Sequence, residues 1–568
     1  MRPMRLQHAP GWQTPLLLVL MLWALLAGLG MREPMPADEP RFVLAARTMV
    51  ETGQWLFPHR GAELYAEKPP TFMWLQATSY LLVRNWQVAF LLPSLLAALL
   101  TLGLSGDLAR RLWGRHTVPY AVSGLFVCLQ FALQAKRAQI DMVLVAMTTL
   151  SLWALLRYLL EKPSPWLLAL GTFAAGLGTV TKGVGFLPLL VFLPWLWARR
   201  TASRALPAPR GVHVLAGVAG FLLGAGTWLV PMLATALSSP DSALQAYARE
   251  MLFKQTGTRY ANAWHHVKPA WYYLQAMLTL WLPGVLLAPW LLPAWWRRVR
   301  RPDARHVLLL GWAALVLVFF SASPGKREVY IFPMLPALAV AAAPLLPGLL
   351  RRRAVRATLW SYMAVLALVA GVLGAWLSMA PPERLHALLD GRGMDMATVA
   401  QLSRWLLGFA VVALAAIVAA RRHVAVALVA VTAALWTSYG MGFMPALSPD
   451  SSAQALMQRV GERIGPDAEL AMLGWREQHL LQADRPVTDF GFKQPWAAQW
   501  QHAHAWLLQA PAKRWLFLRR EAIGPCLDPA KVVDIGASNR RAWILAPGNA
   551  WIEACDVPPD WSADVSED

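Results

Sequence analysis

The chain alternates long apolar runs with short polar breaks, and the runs have the length that crosses a bilayer. A helix spanning the hydrocarbon core needs about twenty predominantly apolar residues. Such runs are predicted near residues 13–30, 86–108, 117–135, 141–160, 166–180, 184–198, 213–237, 272–296, 306–322, 329–350, 357–379, 403–420 and 423–446, about thirteen in all. The segment Pro70 to Val83 is apolar too, but it is too short to cross and opens on Pro69 and Pro70, so it reads as a re-entrant or surface-lying helix. After Ala446 the apolar runs stop and about 120 residues remain. Their pattern predicts a helix over Ser451 to Ile464, a strand over Glu469 to Leu473, a helix near Gln494 to Leu508, a strand over Arg514 to Arg519, and a pair around Lys531 to Ile535 and Arg541 to Leu545. The expected organisation is a transmembrane domain over residues 1–446 and a small α/β domain over 447–568.

Charge orients this pattern. Arginines cluster at Arg110, Arg111 and Arg115, from Arg199 to Arg210, from Arg297 to Arg305, from Arg351 to Arg356, and at Arg421 and Arg422, each group at the end of a span. Positive charge resists translocation, so all five clusters are expected in the cytoplasm. Counting Pro70 to Val83 as a span would put the Arg110 cluster outside, which is the reason to keep it re-entrant. An odd number of spans from a cytoplasmic N-terminus places the tail outside, in the periplasm. The net charge of +20 raises nucleic acid as a partner, but the basic residues follow the span ends and no basic soluble domain exists, which excludes it. With 57% hydrophobic and 15% charged residues and a mean hydropathy of +0.41, the chain is a membrane protein. The first run follows Arg2 and Arg5 like a signal peptide; it is read as an uncleaved span, because cleavage would untether the following loop. Cys128 lies in an apolar run as a small hydrophobe, whereas Cys526 and Cys555 share the tail, where an oxidising compartment permits a disulfide.

Charges that are not arginine clusters gather on the outer face. The first outer loop carries Asp38, Glu39, Arg41, Glu67 and Lys68 beside Trp-rich surface, and a carboxylate and a cation three residues apart on a helix can both address a phosphate-bearing substrate. The ordinary alternative is helix capping by Asp38 with a simple ion pair. Asp141 opens the fourth span, where an ionised group faces either a cavity or a local partner such as Arg137. Lys182 sits among Gly178, Gly183 and Gly185, which permit close approach to a ligand; the alternative is snorkelling to the interface. Lys254, Arg259, His265 and His266 precede the eighth span and suit an anionic headgroup or carrier phosphate, the histidine pair being a weak metal signal. Lys326, Arg327 and Tyr330 fall on a Gly-Pro turn of an outer loop, against the positive-inside bias, which favours a functional reading. No CxxC or HExxH spacing and no GxGxxG or P-loop pattern is present, so the sequence supports neither a metal nor a nucleotide cofactor.

Taken together, DEPR (Asp38 to Arg41), GQWLFPHRGAELYAEKPP (Gly53 to Pro70), AKRAQID ending at Asp141, the TKG turn at Lys182, NAWHHVKPAWYY (Asn262 to Tyr273) and SPGKREVYIFP (Ser323 to Pro333) resemble the bacterial phospholipid-carrier-dependent glycosyltransferases. That group includes the ArnT lipid A aminoarabinose transferases and, more distantly, the protein O-mannosyltransferases. The likeness covers most of the chain, and DE followed about thirty residues later by EKP is its most specific signal. It implies a polytopic, all-α C-type glycosyltransferase fold of about thirteen spans with juxtamembrane helices in the first outer loop, plus the small α/β tail. By position it implies Asp38 as the catalytic acidic residue with Glu39 and Arg41 as neighbours, Glu67 and Lys68 near the carrier phosphate, Asp141 as a second acidic residue, Arg259 as a phosphate-binding cation, Tyr330 as the late-loop tyrosine, and either His265 or His266 as the family histidine. KREVYIFP replaces the KLPTYILP typical of aminoarabinose transferases, which leaves the sugar open.

The expected activity is inverting transfer of a sugar from a polyprenyl-phosphate donor, with undecaprenyl phosphate as carrier, to a lipid A-like or other envelope lipid or glycan at the inner membrane. Lys68, Arg259 and Lys326 would stabilise the departing phosphate, and Asp38 would orient the acceptor, taking its proton if it is a hydroxyl and only positioning it or stabilising the anomeric carbon if it is an ionised phosphate. The rival reading is a transporter or lipid flippase, which predicts midplane charges and two related halves. The charges here sit at one edge, and no internal repeat is found.

Overall fold

The computed structural model describes residues 13–201, 206, 210–253, 267–389, 394–552, 555, 557, 558, 561 and 562. Its larger part is a helical bundle. Among the described residues, seven helices are long and apolar enough to cross a membrane: Trp86–Trp113, Ile140–Leu160, Gly211–Ser238, Ala304–Ala322, Arg353–Met379, Met396–Ala419 and Val424–Ile464. Two more predicted spans are broken, Arg115–Phe126 against Leu129–Ala135 at 74° and Tyr272–Leu280 against Gly284–Arg300 at 103°. By length and composition that gives at most nine, against about thirteen predicted. The difference lies in the first run, whose helix Gln13–Leu26 has only 14 residues, in Pro165–Lys182, an unbroken 18-residue helix outside the seven, and in two runs the chain interrupts. Residues 184–198 divide into a 3-10 turn at Leu187–Val191 and a helix at Phe192–Thr201. Residues 329–350 divide into Met334–Ala342 and Leu346–Leu349. Prolines 188, 194, 333, 336 and 347 fall in these stretches, where each removes a backbone donor and favours a helix start or break. Thr71–Val83 is a separate 13-residue helix, as its length predicts.

The long helices expose apolar side chains such as Leu222, Leu223, Leu368 and Val411, a surface that only lipid covers favourably. Between helices the backbone approaches closely where side chains are small. Pro165–Lys182 packs on Gly211–Ser238 through Gly220 and Gly224, where a Cβ would lie 2.4 Å from the Ala169 carbonyl oxygen and 2.2 Å from that of Phe173.

The tail forms a five-stranded sheet. The strands are β3 (Glu469–Leu473), β4 (Val487–Asp489), β5 (Arg514–Arg519), β6 (Val533–Ser538) and β7 (Arg541–Pro547), β1 (His59–Arg60) and β2 (Glu63–Leu64) being a short hairpin in the first loop. The order is β4-β3-β5-β7-β6, parallel across β4, β3 and β5 and antiparallel beyond. Helix Gln454–Ile464 covers one face through Leu456, Met457 and Val460, and helix Trp496–Gln509 the other through Trp500, Ala503 and Leu507. Strands β3 and β5 keep their predicted bounds, β6 and β7 each run past the predicted end, and helix Glu477–Gln482 and strand β4 were not predicted. Cys526 and Cys555 are joined as a disulfide, with Cα atoms 5.4 Å apart.

This sheet domain docks on the first loop. Asp489 accepts from the Ala62 N–H (3.1 Å), Glu63 from the Lys493 N–H (3.1 Å), and Glu33 from Gln482 (3.2 Å). The guanidinium of Arg60 lies 3.7 Å from the centroid of the Phe492 ring.

Candidate active site

Helix Glu39–Thr52 starts on Asp38, but the Asp38 side chain caps nothing. Its Oδ2 accepts from Gln139 Nε2 at 3.0 Å and from Arg327 Nη2 at 3.2 Å, so one carboxylate gathers three loops. Burial pushes its pKa up, while Arg327, Arg41 and Lys182 push it down by more, and the group sits below the ordinary aspartate value. The helix-cap alternative is therefore not what this residue does.

Glu39, its neighbour in sequence, faces elsewhere. It is 6% exposed and accepts from the Arg32 guanidinium (2.7 Å to Oε1), the Met35 N–H (2.9 Å) and the Ala138 N–H (2.9 Å). Arg32 also donates to the Lys136 carbonyl at 3.0 Å. A carboxylate with its lone pairs so engaged fastens the first loop to the loop before Ile140–Leu160.

Asp141 pairs with Lys182 and not with Arg137. The helix begins only at Ile140, and Gln139 is extended (φ −121°, ψ 146°), so Arg137 and Asp141 never share a helical face. Lys182 Nζ also lies 5.1 Å from the centroid of the Tyr330 ring. The glycines around it serve the chain itself, since a Cβ on Gly185 would lie 1.9 Å from the Gly178 carbonyl carbon.

Arg41 turns toward the sheet domain. Its Nε meets Glu477 at 3.2 Å and its Nη1 meets Glu67 at 3.5 Å; Arg60 reaches the same two carboxylates, each at 3.5 Å. Lys493 adds a third cation to Glu67 at 3.5 Å. Burial raises the Glu67 pKa, but Arg60, Arg41, Lys493 and Lys68 together hold it below the usual glutamate value. Lys326 is 4% exposed and donates to the carbonyls of Lys268 (3.1 Å) and Ser323 (2.5 Å), which fixes its loop. Arg259, His265 and His266, with Lys254, lie outside the described residues. No group of three His, Cys, Asp or Glu suited to a metal occurs among the described residues.

Beside these charges is a pocket open to solvent. Glu67, Lys68, Lys182 and Tyr330 are its polar lining, and Leu144, Trp228, Met251 and Phe320 lie along its apolar part. Cations combined with an apolar wall suit a ligand with an anionic head and a hydrocarbon tail.

Residues 67–228 match the dolichyl-phosphate-mannose-protein mannosyltransferase family, a stretch that includes Glu67, Lys68, Asp141 and Lys182. The whole chain superposes on the crystal structure of ArnT from Cupriavidus metallidurans bound to undecaprenyl phosphate, covering 97% of this chain and 100% of that one, with a TM-score of 0.72 at 20% identity. The chain has the ArnT fold. In sequence it is similar to undecaprenyl phosphate-aminoarabinose transferases. Over 373 residues it is 34% identical to undecaprenyl phosphate-alpha-4-amino-4-deoxy-L-arabinose arabinosyl transferase 1 of Pseudomonas fluorescens, a match covering 64% of each chain. Over 412 residues it is 29% identical to the transferase of that name from Aeromonas salmonicida, covering 70% of this chain and 71% of the relative. On this fold the polytopic helical architecture expected from the sequence holds, and the chain is a membrane protein.

Sequence reasoning passed over Gln139, Arg60 and Glu477, and named Arg327 without choosing it over Lys326. Arg327 did carry a signal, a cation in an outer loop. Gln139 and Glu477 carry none until tertiary structure brings them to Asp38 and Arg41.

Arg327 heads the influences that lower the Asp38 pKa, so Arg327→Gln should move the acid limb of the kcat/KM profile to higher pH. With its pKa depressed, Asp38 stays ionised in the wild type until the pH falls below the ordinary aspartate value of about 3.9; without Arg327, burial raises that value. A pH–rate series on both proteins checks this, and an unmoved limb would mean Arg327 does not govern Asp38.

Proposed function

We propose that the protein transfers a sugar from a polyprenyl-phosphate donor, with undecaprenyl phosphate as carrier, to a lipid A-like or other envelope acceptor on the periplasmic side of the inner membrane. The observation that carries this reading is the pocket where Lys68 and Lys182 adjoin an apolar wall, with Lys182 near enough to act on the Asp38 carboxylate. The activity of the similar arabinosyl transferases, and the carrier bound to the ArnT structure, support the same chemistry.

In this reading Lys68 and Lys182 hold the carrier phosphate and stabilise the charge it gains on leaving, with Arg259 adding to them. Asp141 fixes Lys182, and Tyr330 shapes the wall beside it. Asp38 orients the acceptor and, where that acceptor is a hydroxyl, takes its proton; a single displacement inverts the anomeric centre. Arg41 and Glu67 hold the first loop in register with the residue 447–568 domain, while Glu39 and Lys326 are positioning residues. The reaction needs no nucleotide cofactor. Membranes supplied with a donor labelled in the sugar should move label into phosphorylated envelope lipid, and label retained wholly on the carrier would oppose the reading.

The orientation has its own test. With residue 447–568 outside, a C-terminal reporter active only in the cytoplasm should be silent, and strong activity would invert the proposed topology.

A further inference from the structure

The sheet domain holds a second cluster of cations. Strand β3 continues through Glu477–Gln482 to β4 on one side, while β5, its parallel neighbour, continues to β6 and β7 on the other. Such a reversal leaves a crevice beyond the carboxyl ends of the two strands, the place where open α/β sheets bind ligands. Three arginines mark this edge. Arg476 follows β3, Arg519 ends β5, and Arg541 begins β7, which runs antiparallel to β5 with Trp543 opposite Arg519.

Arg519 is 4% exposed, and Glu521 is the carboxylate near enough to act on its charge. Its Nε–H is buried without an acceptor, and its guanidinium lies 5.7 Å from the Trp543 ring centroid. His479 adds another donor. Its Nδ1 accepts from the Arg476 N–H at 3.0 Å, so the neutral ring carries its proton on Nε2, which is buried and unsatisfied. Burial together with Arg519 and Arg476 holds the His479 pKa down to about 3. The Trp543 Nε1–H is likewise unsatisfied. The nearby carboxylates are engaged: Glu521 meets Arg541 at 3.2 Å, and Glu477 receives Arg41 and Arg60. A buried guanidinium beside two others and unmet N–H donors is costly unless an anion completes it.

We propose that Arg476, Arg519 and Arg541 form a binding site for a phosphomonoester at the carboxyl edge of the sheet. Arg519 is the buried member, and the partly exposed Arg476 and Arg541 admit the ligand. Guanidinium forks match phosphate oxygens in pairs, which suits this arginine-only set. Arg476 adjoins Glu477, the residue that docks on Arg41, so the bound phosphate lies on the side of the domain that faces the candidate active site. If the proposed transfer to a phosphorylated envelope lipid is correct, on which this last step rests, the site holds the acceptor by its headgroup.

The test is calorimetric titration of detergent-purified full-length protein with inorganic phosphate and, separately, with short-chain phosphatidic acid. A Lys68→Ala background weakens the contribution of the donor cavity. Arg519→Gln and Arg541→Gln should each weaken binding by about tenfold, the loss of one charge-assisted contact. Arg541 is the more exposed, so its variant keeps the test decisive if Arg519→Gln does not fold. Tighter binding of phosphatidic acid than of inorganic phosphate assigns a lipid headgroup; equal affinities assign a small soluble phosphate. Binding unchanged in the folded variants, or no binding of either probe, overturns the site. Because the readout is binding, inactivity in sugar transfer with this binding intact would remove the proposed function and leave the site standing.

Discussion

Asp38→Asn should lower turnover by about 10²- to 10⁴-fold, the range for removing a general base, while donor binding stays close to wild type. Asn keeps the size of Asp and an oxygen that can still accept from Gln139 and Arg327. It has neither the negative charge nor the capacity to take a proton. Because Asp38 does not cap its helix, the substitution removes no helix-terminal hydrogen bond, and fold is expected to survive. Single-turnover transfer and donor binding, measured on one preparation, separate the two effects. Near-wild-type turnover would reduce Asp38 to a counter-ion for Arg327.

Lys68→Ala should act on binding as well as on rate. The carrier phosphate is anionic before reaction and gains charge as it leaves, so a cation in the cavity stabilises both states, the second more strongly. Loss of one charged hydrogen bond, about 1.5–3 kcal/mol, corresponds to about 10- to 100-fold weaker donor binding, with a further fall in turnover. Lys326→Met provides the contrast. Lys326 is buried on two backbone carbonyls, so its loss should lower the unfolding temperature and leave donor affinity largely intact. Donor titrations on both variants check the pair, and equal affinity losses would mean Lys326 reaches the phosphate after all.

These two lysines show what a sequence reveals of such a site. Both stand in outer loops, and both were candidates on charge and position alone. What distinguishes them is where the backbone turns. Gly325 pairs with Val267 across a β-bridge, and that bridge brings the Lys326 ammonium to the Lys268 carbonyl on the far side and to Ser323 of its own loop. Asp38 and Glu39 differ in the same way, adjacent in sequence yet directed to an open cluster and to a closed bracket by one step of helix rotation. Periodicity and turn chemistry are local, which is why β3 and β5 were legible to the residue and Thr71–Val83 was recognised as too short to cross. Spans interrupted by proline were less legible, since hydropathy averages over a break that the backbone cannot. Glu477 was invisible because its helix is a single short element in the tail, and its importance arises only when that domain settles on Arg41 and Arg60.

The most direct test of carrier-dependent transfer is mass spectrometry of purified protein incubated with an undecaprenyl-phosphate sugar and a phosphorylated envelope lipid. Free undecaprenyl phosphate and glycosylated acceptor should appear in equal amounts, both about 10²- to 10⁴-fold more slowly with Asp38→Asn; donor that remains intact while bound to wild-type protein in the presence of acceptor would contradict carrier-dependent transfer.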